Sequence, residues 1–135
     1  MLIGLANGCF DGLHKGHKHF LSQCHKHCDH LIVALNSDAS VARLKGPSRP
    51  IQTLTRRLDM LRTYVEAVIP FEGRIDPLIM EMRPDVYFVG YDHNASDLFI
   101  RKPGWKESGE WDKVKVIQIS HLPGYSTTGL LHATE

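Results

Sequence analysis

Short apolar runs recur along the chain, and stretches with the apolar spacing of helices lie between them or after them. Five runs rich in Leu, Ile and Val predict strands, at residues 2–6, 31–35, 67–69, 86–89 and 114–119. Helical patterns occupy residues 15–28, 39–44, 54–64, 77–82 and 126–133. The prolines Pro70, Pro77, Pro84 and Pro103 stand at the boundaries of these segments, so no proline is expected inside a strand.

This alternation of strands and helices predicts an α/β fold. We expect a Rossmann-like, open, mostly parallel five-stranded sheet with helices on both faces. The middle runs are almost continuously apolar, as strands are when both faces of the sheet are covered. In such sheets ligands bind beyond the carboxyl ends of the strands, near the switch in strand order. The residues that directly follow each strand are therefore the first candidates for a functional site.

The composition is that of a soluble globular protein. The 135 residues suit a single domain over 1–135, with 42% apolar and 23% charged residues. A net charge of +1 leaves no basic excess, so neither nucleic acid nor a membrane is expected as a partner. No apolar run approaches the roughly 20 residues of a membrane-spanning helix. Three cysteines, an odd number, favour a reducing compartment, and we expect a cytoplasmic protein.

The segment between the first strand and the first helix carries the densest set of reactive groups. It ends in the first turn of the helix, where backbone N–H groups and the helix dipole favour an anion. His14 and His17 lie on the same turn, so both imidazoles can donate an N–H group to one phosphate. Gly16 lies between them and leaves room for a ligand to approach the backbone. The segment matches neither of the usual glycine-rich nucleotide fingerprints.

The segment His14-Lys15-Gly16-His17 resembles the H-x-G-H signature of the nucleotidylyltransferase superfamily, and Gly8-Cys9-Phe10-Asp11 resembles the leading G-x-F-D of that family. Further blocks agree with the family in the same order along the chain: Asn36-Ser37-Asp38, Arg56-Arg57 and Ser126-Thr127-Thr128. The resemblance spans nearly the whole chain. Class I aminoacyl-tRNA synthetases share the H-x-G-H type, but this chain has no motif that resembles K-M-S-K-S.

The resemblance implies an enzyme in which a phosphate oxygen of the acceptor attacks the α-phosphorus of a nucleoside triphosphate (NTP) and pyrophosphate leaves. It also implies Mg²⁺ on the triphosphate and a homodimer. The catalytic residues that it implies are His14, His17, Arg57 (or its neighbour Arg56) and Thr127. The nucleotide-binding residues that it implies are Gly8, Cys9, Phe10, Asp11, Gly16, Gly90, Asp92, Gly124, Ser126 and Thr128. The acceptor-binding candidates follow the second strand and are Asp38, Lys45 and Arg49.

Two subfamilies are candidates, and they differ in nucleotide and acceptor. Residues 31–40, 43–46 and 48–51 resemble the heptose-1-phosphate adenylyltransferase type. Glycerol-3-phosphate cytidylyltransferases carry an Arg ahead of their S-T-T block, and this chain has no Arg within residues 121–128. We therefore expect ATP and a sugar phosphate, with CTP and a polyol phosphate as the alternative. A non-catalytic nucleotide-binding module is the alternative from another class.

Two other parts of the sequence have less specific patterns. Cys24-His25-Lys26-His27-Cys28 could suggest zinc, but Cys24 and Cys28 have the spacing of an apolar helix face, so we expect them to pack in the core. Cys9 is expected to be structural rather than nucleophilic. Residues 94–111 are rich in charge, Gly and Trp, and we expect a loop with a short helix that could cover the site.

Overall fold

The computed structural model describes residues 1–90 and 114–119. Its strands are β1 (Ile3–Gly8), β2 (His30–Asn36), β3 (Ala67–Phe71), β4 (Val86–Gly90) and β5 (Lys115–Ile119). Its helices are α1 (Lys15–His25), α2 (Asp38–Lys45), α3 (Leu54–Leu61) and α4 (Asp76–Met82). Within these ranges, none of the helices has the length and apolar character needed to cross a membrane.

The five strands form one sheet in the order β3-β2-β1-β4-β5. Every pairing between neighbouring strands is parallel. From β1 the chain first proceeds outward through β2 to β3 and then crosses to the other side of β1 for β4 and β5. The switch in strand order therefore lies between β1 and β4, whose carboxyl ends are Gly8 and Gly90.

Each face of the sheet packs against helices through a separate apolar cluster. One cluster joins the sheet to α1 and α3, and includes Leu21, Leu61 and Phe88. The other joins the opposite face to α4, and includes Leu5, Ile79 and Tyr87. The predicted α/β class, with a parallel five-stranded sheet and helices on both faces, is confirmed.

Two helices end earlier than their sequence patterns predicted. Helix α1 ends at His25 rather than residue 28, and α3 ends at Leu61 rather than residue 64. After α1, the N–H of Lys26 bonds to the carbonyl of Gln23, and after α3 the N–H of Tyr64 bonds to the carbonyl of Leu61. These bonds span three residues rather than four, so the backbone leaves the α-helical path while the apolar spacing continues.

The prediction that no proline lies inside a strand is wrong for Pro70. This residue lies within β3, opposite Leu35 of β2. The strand order places β3 at one edge of the sheet, where a residue without an N–H group removes few ladder bonds. The predicted helix at residues 126–133 and the segment 94–111 lie outside the described residues.

Candidate active site

The loop between β1 and α1 is held against the core by an aromatic anchor. Phe10 has a φ of 45°, a backbone conformation that bulky side chains rarely adopt. Its ring is buried, and its centroid lies 5.2 Å from the His17 ring and 6.5 Å from the Phe20 ring. The contact with the apolar cluster therefore keeps the backbone in this uncommon conformation and sets the position of His17.

The two histidines of the H-x-G-H segment cap the helix that carries them. His14 is the N-cap residue of α1, and its Nδ1 accepts a hydrogen bond of 2.9 Å from the backbone N–H of Gly16. In the reverse direction, Nδ1 of His17 accepts a hydrogen bond of 3.3 Å from the backbone N–H of His14. This reciprocal capping box satisfies two N–H groups that a helix start otherwise leaves without intrahelical partners.

The capping box also decides which ring nitrogen carries the proton. In a neutral imidazole one nitrogen accepts and the other donates. Since Nδ1 accepts from the backbone in both His14 and His17, the proton of each neutral ring is on Nε2. The two rings are stacked, with centroids 3.8 Å apart and an interplanar angle of 24°. Each neutral ring therefore has its N–H group at Nε2.

Both histidines are neutral at physiological pH. Burial lowers the pKa of His14. Burial is also the largest of the effects that together lower the pKa of His17 to about 3; the charges of His14 and Lys45 act in the same direction, while Asp11 and a hydrogen bond with the Gly12 backbone act in the opposite direction. An anion bound beside these rings would raise their pKa values.

Asp11 links the segment before α3 to the loop between β1 and α1. Its carboxylate accepts hydrogen bonds from the backbone N–H groups of Ile51 (2.7 Å) and Gln52 (2.8 Å) and from Nε of Arg49 (2.8 Å). Burial alone would raise the pKa of Asp11, but these hydrogen bonds outweigh burial and lower its pKa. A carboxylate engaged in this way has a positioning role in the described structure. The nucleotide contact expected for Asp11 stays a prediction.

Arg57 is fully buried and holds three carbonyl groups and one carboxylate. Nη1 donates to the carbonyls of Cys9 (2.9 Å) and Asn36 (2.8 Å), and Nε donates to the carbonyl of Gln52 (3.0 Å). Nη2 donates to Oδ1 of Asp38 at 2.7 Å. The guanidinium thus ties the carboxyl ends of β1 and β2 to the segment before α3, whereas the preceding Arg56 is exposed.

The three acceptor candidates lie at the same edge of the sheet but differ in exposure. The Asp38 side chain is about half exposed at the start of α2, while the Arg49 side chain is 9% exposed and paired with Asp11. Lys45 is exposed at the end of α2, and its charge lowers the pKa values of both His17 and Cys9. Lys45 is therefore an exposed cation whose charge acts on His17 and Cys9.

The cysteines have the environments of structural residues. Burial raises the pKa of Cys9, against the opposing charges of Lys45 and Arg57, so its thiol is protonated at neutral pH. Cys24 is completely buried in the cluster beneath α1, and the partly buried Cys28 packs at the margin of that cluster. In the part of the chain that the structure describes, no three His, Cys, Asp or Glu side chains are grouped to hold a metal ion.

Several predicted site residues fall outside the described ranges, namely Asp92, Gly124, Ser126, Thr127 and Thr128. Gly8 and Gly90 end the neighbouring strands β1 and β4, so the structure brings their carboxyl ends together. The capping box and the contacts of Gln52 were not predicted from the sequence. The H-x-x-H spacing at a helix start was the available signal for the former, since it equals the N-cap to N3 spacing of capping boxes.

Comparison with known proteins gives a consistent result over most of the chain. A family model described as cytidylyltransferase-like matches residues 5–131. The bifunctional protein HldE of Acidiphilium cryptum (strain JF-5) is 41% identical over 129 residues, which cover 93% of this chain and 26% of the relative. The bifunctional protein HldE of Proteus mirabilis (strain HI4320) is 41% identical over 134 residues, covering 97% of this chain and 27% of the relative. The chain thus spans about a quarter of the length of these relatives.

Solved structures show the same fold. The lipopolysaccharide core biosynthesis protein from Thermoplasma volcanium GSS1 matches with a TM-score of 0.74 and 27% identity, covering 93% of this chain and 99% of that one. A pantothenate synthetase from Thermus thermophilus matches with a TM-score of 0.61 and 12% identity, covering 98% of this chain and 65% of that one. The second likeness concerns the fold alone.

The contacts of Arg57 predict a large effect on stability. Arg57→Met should lower the free energy of unfolding by about 3–5 kcal/mol, because it leaves the partners of a buried charge unpaired. Arg56→Met is the matched control and should change it by less than about 0.5 kcal/mol, since Arg56 is exposed. Urea unfolding at pH 7 measures both. Wild-type stability in Arg57→Met, combined with lost activity, would instead assign Arg57 to the leaving pyrophosphate.

The lowered pKa of His17 predicts a pH dependence of stability. The folded pKa is about 3 and the unfolded pKa is about 6.5, so the unfolded chain binds the extra proton between these values. Stability therefore falls as the pH decreases from about 6.5, by at most about 1.4 kcal/mol per pH unit from this residue. Urea unfolding between about pH 4.5 and 7 should show a smaller slope in His17→Asn. The control is His30→Asn, which removes an exposed histidine. If the slope of the unfolding free energy against pH were the same in His17→Asn as in the wild type, His17 would be protonated in the folded state over this pH range.

Proposed function

Because the chain belongs to the cytidylyltransferase-like family, we propose that it is a nucleotidylyltransferase that transfers a nucleoside monophosphate from an NTP to a phosphorylated sugar. The observation that carries this proposal is the His14–His17 capping box, which holds two neutral rings with Nε2 protonated at a helix start. This pair lies at the carboxyl edge of the sheet, beside the switch in strand order, where ligands of such folds bind.

We propose ATP as the nucleotide and a heptose 1-phosphate as the acceptor. The sequence blocks at residues 31–40, 43–46 and 48–51 support this choice. So does about 40% identity to several bifunctional HldE proteins, and so does the likeness to a lipopolysaccharide core biosynthesis protein. The glycerol-3-phosphate cytidylyltransferase alternative is not favoured, because the curated relatives described above are all HldE proteins.

The reaction needs positioning and charge stabilisation rather than a covalent intermediate. An oxygen of the acceptor phosphate forms a bond to the α-phosphorus of the NTP. The bond from that phosphorus to the oxygen that bridges to the β-phosphate breaks, and pyrophosphate leaves with the electron pair. Nε2–H of His14 and His17 would donate to oxygens of the α-phosphoryl group, where negative charge increases in the transition state.

The remaining charged groups divide between the two substrates and the loops that hold them. Lys45 would bind the acceptor phosphate, since it is exposed and its charge acts on His17. Asp11 and Arg57 would hold the loop between β1 and α1 in a fixed position relative to the segment before α3. Mg²⁺, a hard cation that prefers oxygen ligands, would enter on the triphosphate and neutralise part of its charge. We also propose that Ser126, Thr127 and Thr128 contact the β- and γ-phosphates and that the protein acts as a cytoplasmic homodimer.

A pyrophosphate-release assay tests the proposed function directly. The four common NTPs are each combined with heptose 1-phosphate, other sugar phosphates and glycerol 3-phosphate, in the presence of Mg²⁺. The expected result is turnover with ATP and a sugar phosphate. Turnover with CTP and glycerol 3-phosphate would replace the proposed substrates, and NTP binding without turnover with any acceptor would favour a binding module.

Two substitutions at His17 separate its capping role from its chemical role. The Oδ1 atom of Asn can take the place of Nδ1 and keep the cap, but Asn lacks a donor at the Nε2 position. We expect His17→Asn to fold and to lower kcat by about 10²–10⁴-fold, the scale of a lost transition-state donor. His17→Gln places an N–H group near the Nε2 position and should keep more of kcat.

The control for this series is His27→Ala, which removes an exposed histidine beyond the end of α1. Steady-state kcat for each variant is compared after thermal unfolding has shown that it folds. A kcat of His17→Asn close to that of the wild type would remove His17 from the chemical step.

The exposed position of Lys45 predicts an effect on one substrate only. Lys45→Ala should raise KM for the phosphorylated acceptor by about tenfold or more, the scale of one charge-assisted phosphate contact, with little change in KM for ATP. Lys26→Ala, which removes an exposed lysine at the far end of α1, is the control. A rise in KM for ATP instead would place Lys45 on the triphosphate and reverse our assignment of the two substrates.

A further inference from the structure

A partly buried hydrogen bond lies on the opposite face of the sheet from α1, at the same carboxyl edge. The hydroxyl of Tyr87 in β4 donates to Oδ1 of Asn7 in β1. The strand register pairs Tyr87 with Leu5, so Asn7 lies two residues further toward the carboxyl end and on the same face. This diagonal is within reach of a tyrosine side chain. The bond therefore spans the two strands between which the strand order switches.

The Tyr87 hydroxyl is a permanent donor. Tyr87 is only 2% exposed, and its ring packs in the cluster with Leu5 and Ile79. Burial raises the pKa of Tyr87 well above its ordinary value, and the nearby charge of Asp76 raises it further. The phenol therefore keeps its proton at any physiological pH, and a rigid, buried side chain holds the donor in one place.

This bond determines how the Asn7 amide is oriented. An Asn side chain is planar, with its acceptor oxygen and its NH₂ donors on opposite sides. Since Oδ1 faces Tyr87, the NH₂ group faces away from Tyr87. Asn7 is partly exposed, and it directly precedes Gly8 and the loop to the histidine pair. The amide donors are thus placed at the edge where the proposed function puts the nucleotide.

We propose that Asn7 binds a phosphate oxygen of the nucleotide through its NH₂ group and that Tyr87 is the positioning residue that sets the orientation of that amide. This inference rests on the proposed function. The nucleotide is favoured over the acceptor because the acceptor candidates Asp38, Lys45 and Arg49 all follow β2, on the other side of β1. Asn7 instead lies on the strand next to β4, whose last residue, Gly90, is one of the expected nucleotide-binding residues.

Calorimetric titration of the whole chain with Mg²⁺-ATP alone tests the inference without any acceptor. Asn7→Ala should raise Kd about tenfold, as expected for the loss of one hydrogen bond to a charged group. Asn7→Asp can still accept from Tyr87, but it loses the donors and adds a negative charge beside the triphosphate. Its Kd should therefore rise more than that of Asn7→Ala.

The role of Tyr87 is tested by coupling. Tyr87→Phe keeps the buried ring and should raise Kd by several-fold, because the amide loses its fixed orientation. The double variant Asn7→Ala/Tyr87→Phe should bind Mg²⁺-ATP no more weakly than Asn7→Ala alone, since Tyr87 acts through Asn7. Tyr64→Phe, at a tyrosine that is 38% exposed, is the control and should leave Kd within about twofold. Thermal unfolding establishes that each variant folds.

Three outcomes would overturn the inference. The first is a Kd for Asn7→Asp within about twofold of the wild type. The second is an additive effect of the two substitutions on Kd in the double variant. The third is a change in KM for the acceptor in the Asn7 variants without any change in KM for ATP. These outcomes leave the proposed function in place if the wild type binds ATP and His17→Asn lowers kcat. If the wild type binds no NTP, the proposed function fails and this inference fails with it.

Discussion

The buried guanidinium of Arg57 is the contact on which the arrangement of the site depends. A buried charge is tolerated only when hydrogen bonds replace its lost hydration. Arg57 meets this condition with carbonyls from the ends of two neighbouring strands and from the segment before α3, and with the carboxylate of Asp38. These partners belong to loops that would otherwise be independent. Displacement of any one of them would leave a buried charge incompletely paired, so the loops keep a common geometry.

Asp11 complements Arg57 with the opposite charge, and the two act on the same residue. The N–H of Gln52 donates to Asp11, its carbonyl accepts from Arg57, and its side-chain Oε1 accepts from the N–H of Gly12 at 3.2 Å. Gln52 is therefore fixed at its backbone and at its side chain. The result is a prearranged edge in which Asp11 and Arg57 form hydrogen bonds within the protein, while Lys45 stays exposed. Such preorganisation is what a reaction that depends on positioning requires.

In each histidine of the pair, Nδ1 closes the start of α1, and this bond leaves the proton on Nε2. The proposed function assigns the phosphate contact to this second nitrogen. On the other face of the sheet, Tyr87 orients Asn7 in a comparable way, with one side of the amide used by the fold. In the histidines and in Asn7, a hydrogen bond within the protein uses one polar atom of the side chain. That bond fixes the orientation of the other polar atom, Nε2 of each histidine and the NH₂ group of Asn7.

Local patterns in the sequence were sufficient for the fold class, the five strands and the family, because hydrophobic periodicity and the spacing of H-x-G-H are short-range properties. The helix ends were less predictable, because apolar spacing continued beyond the last α-helical bonds at His25 and Leu61. Only the tertiary structure decided that Arg57 is buried while Arg56 is exposed. The hydrogen-bond partners of Arg57, Cys9 and Asn36, lie 48 and 21 residues from it in the sequence, and Tyr87 lies 80 residues from Asn7. Contacts over such separations depend on how the strands are ordered in the sheet, which no local pattern encodes.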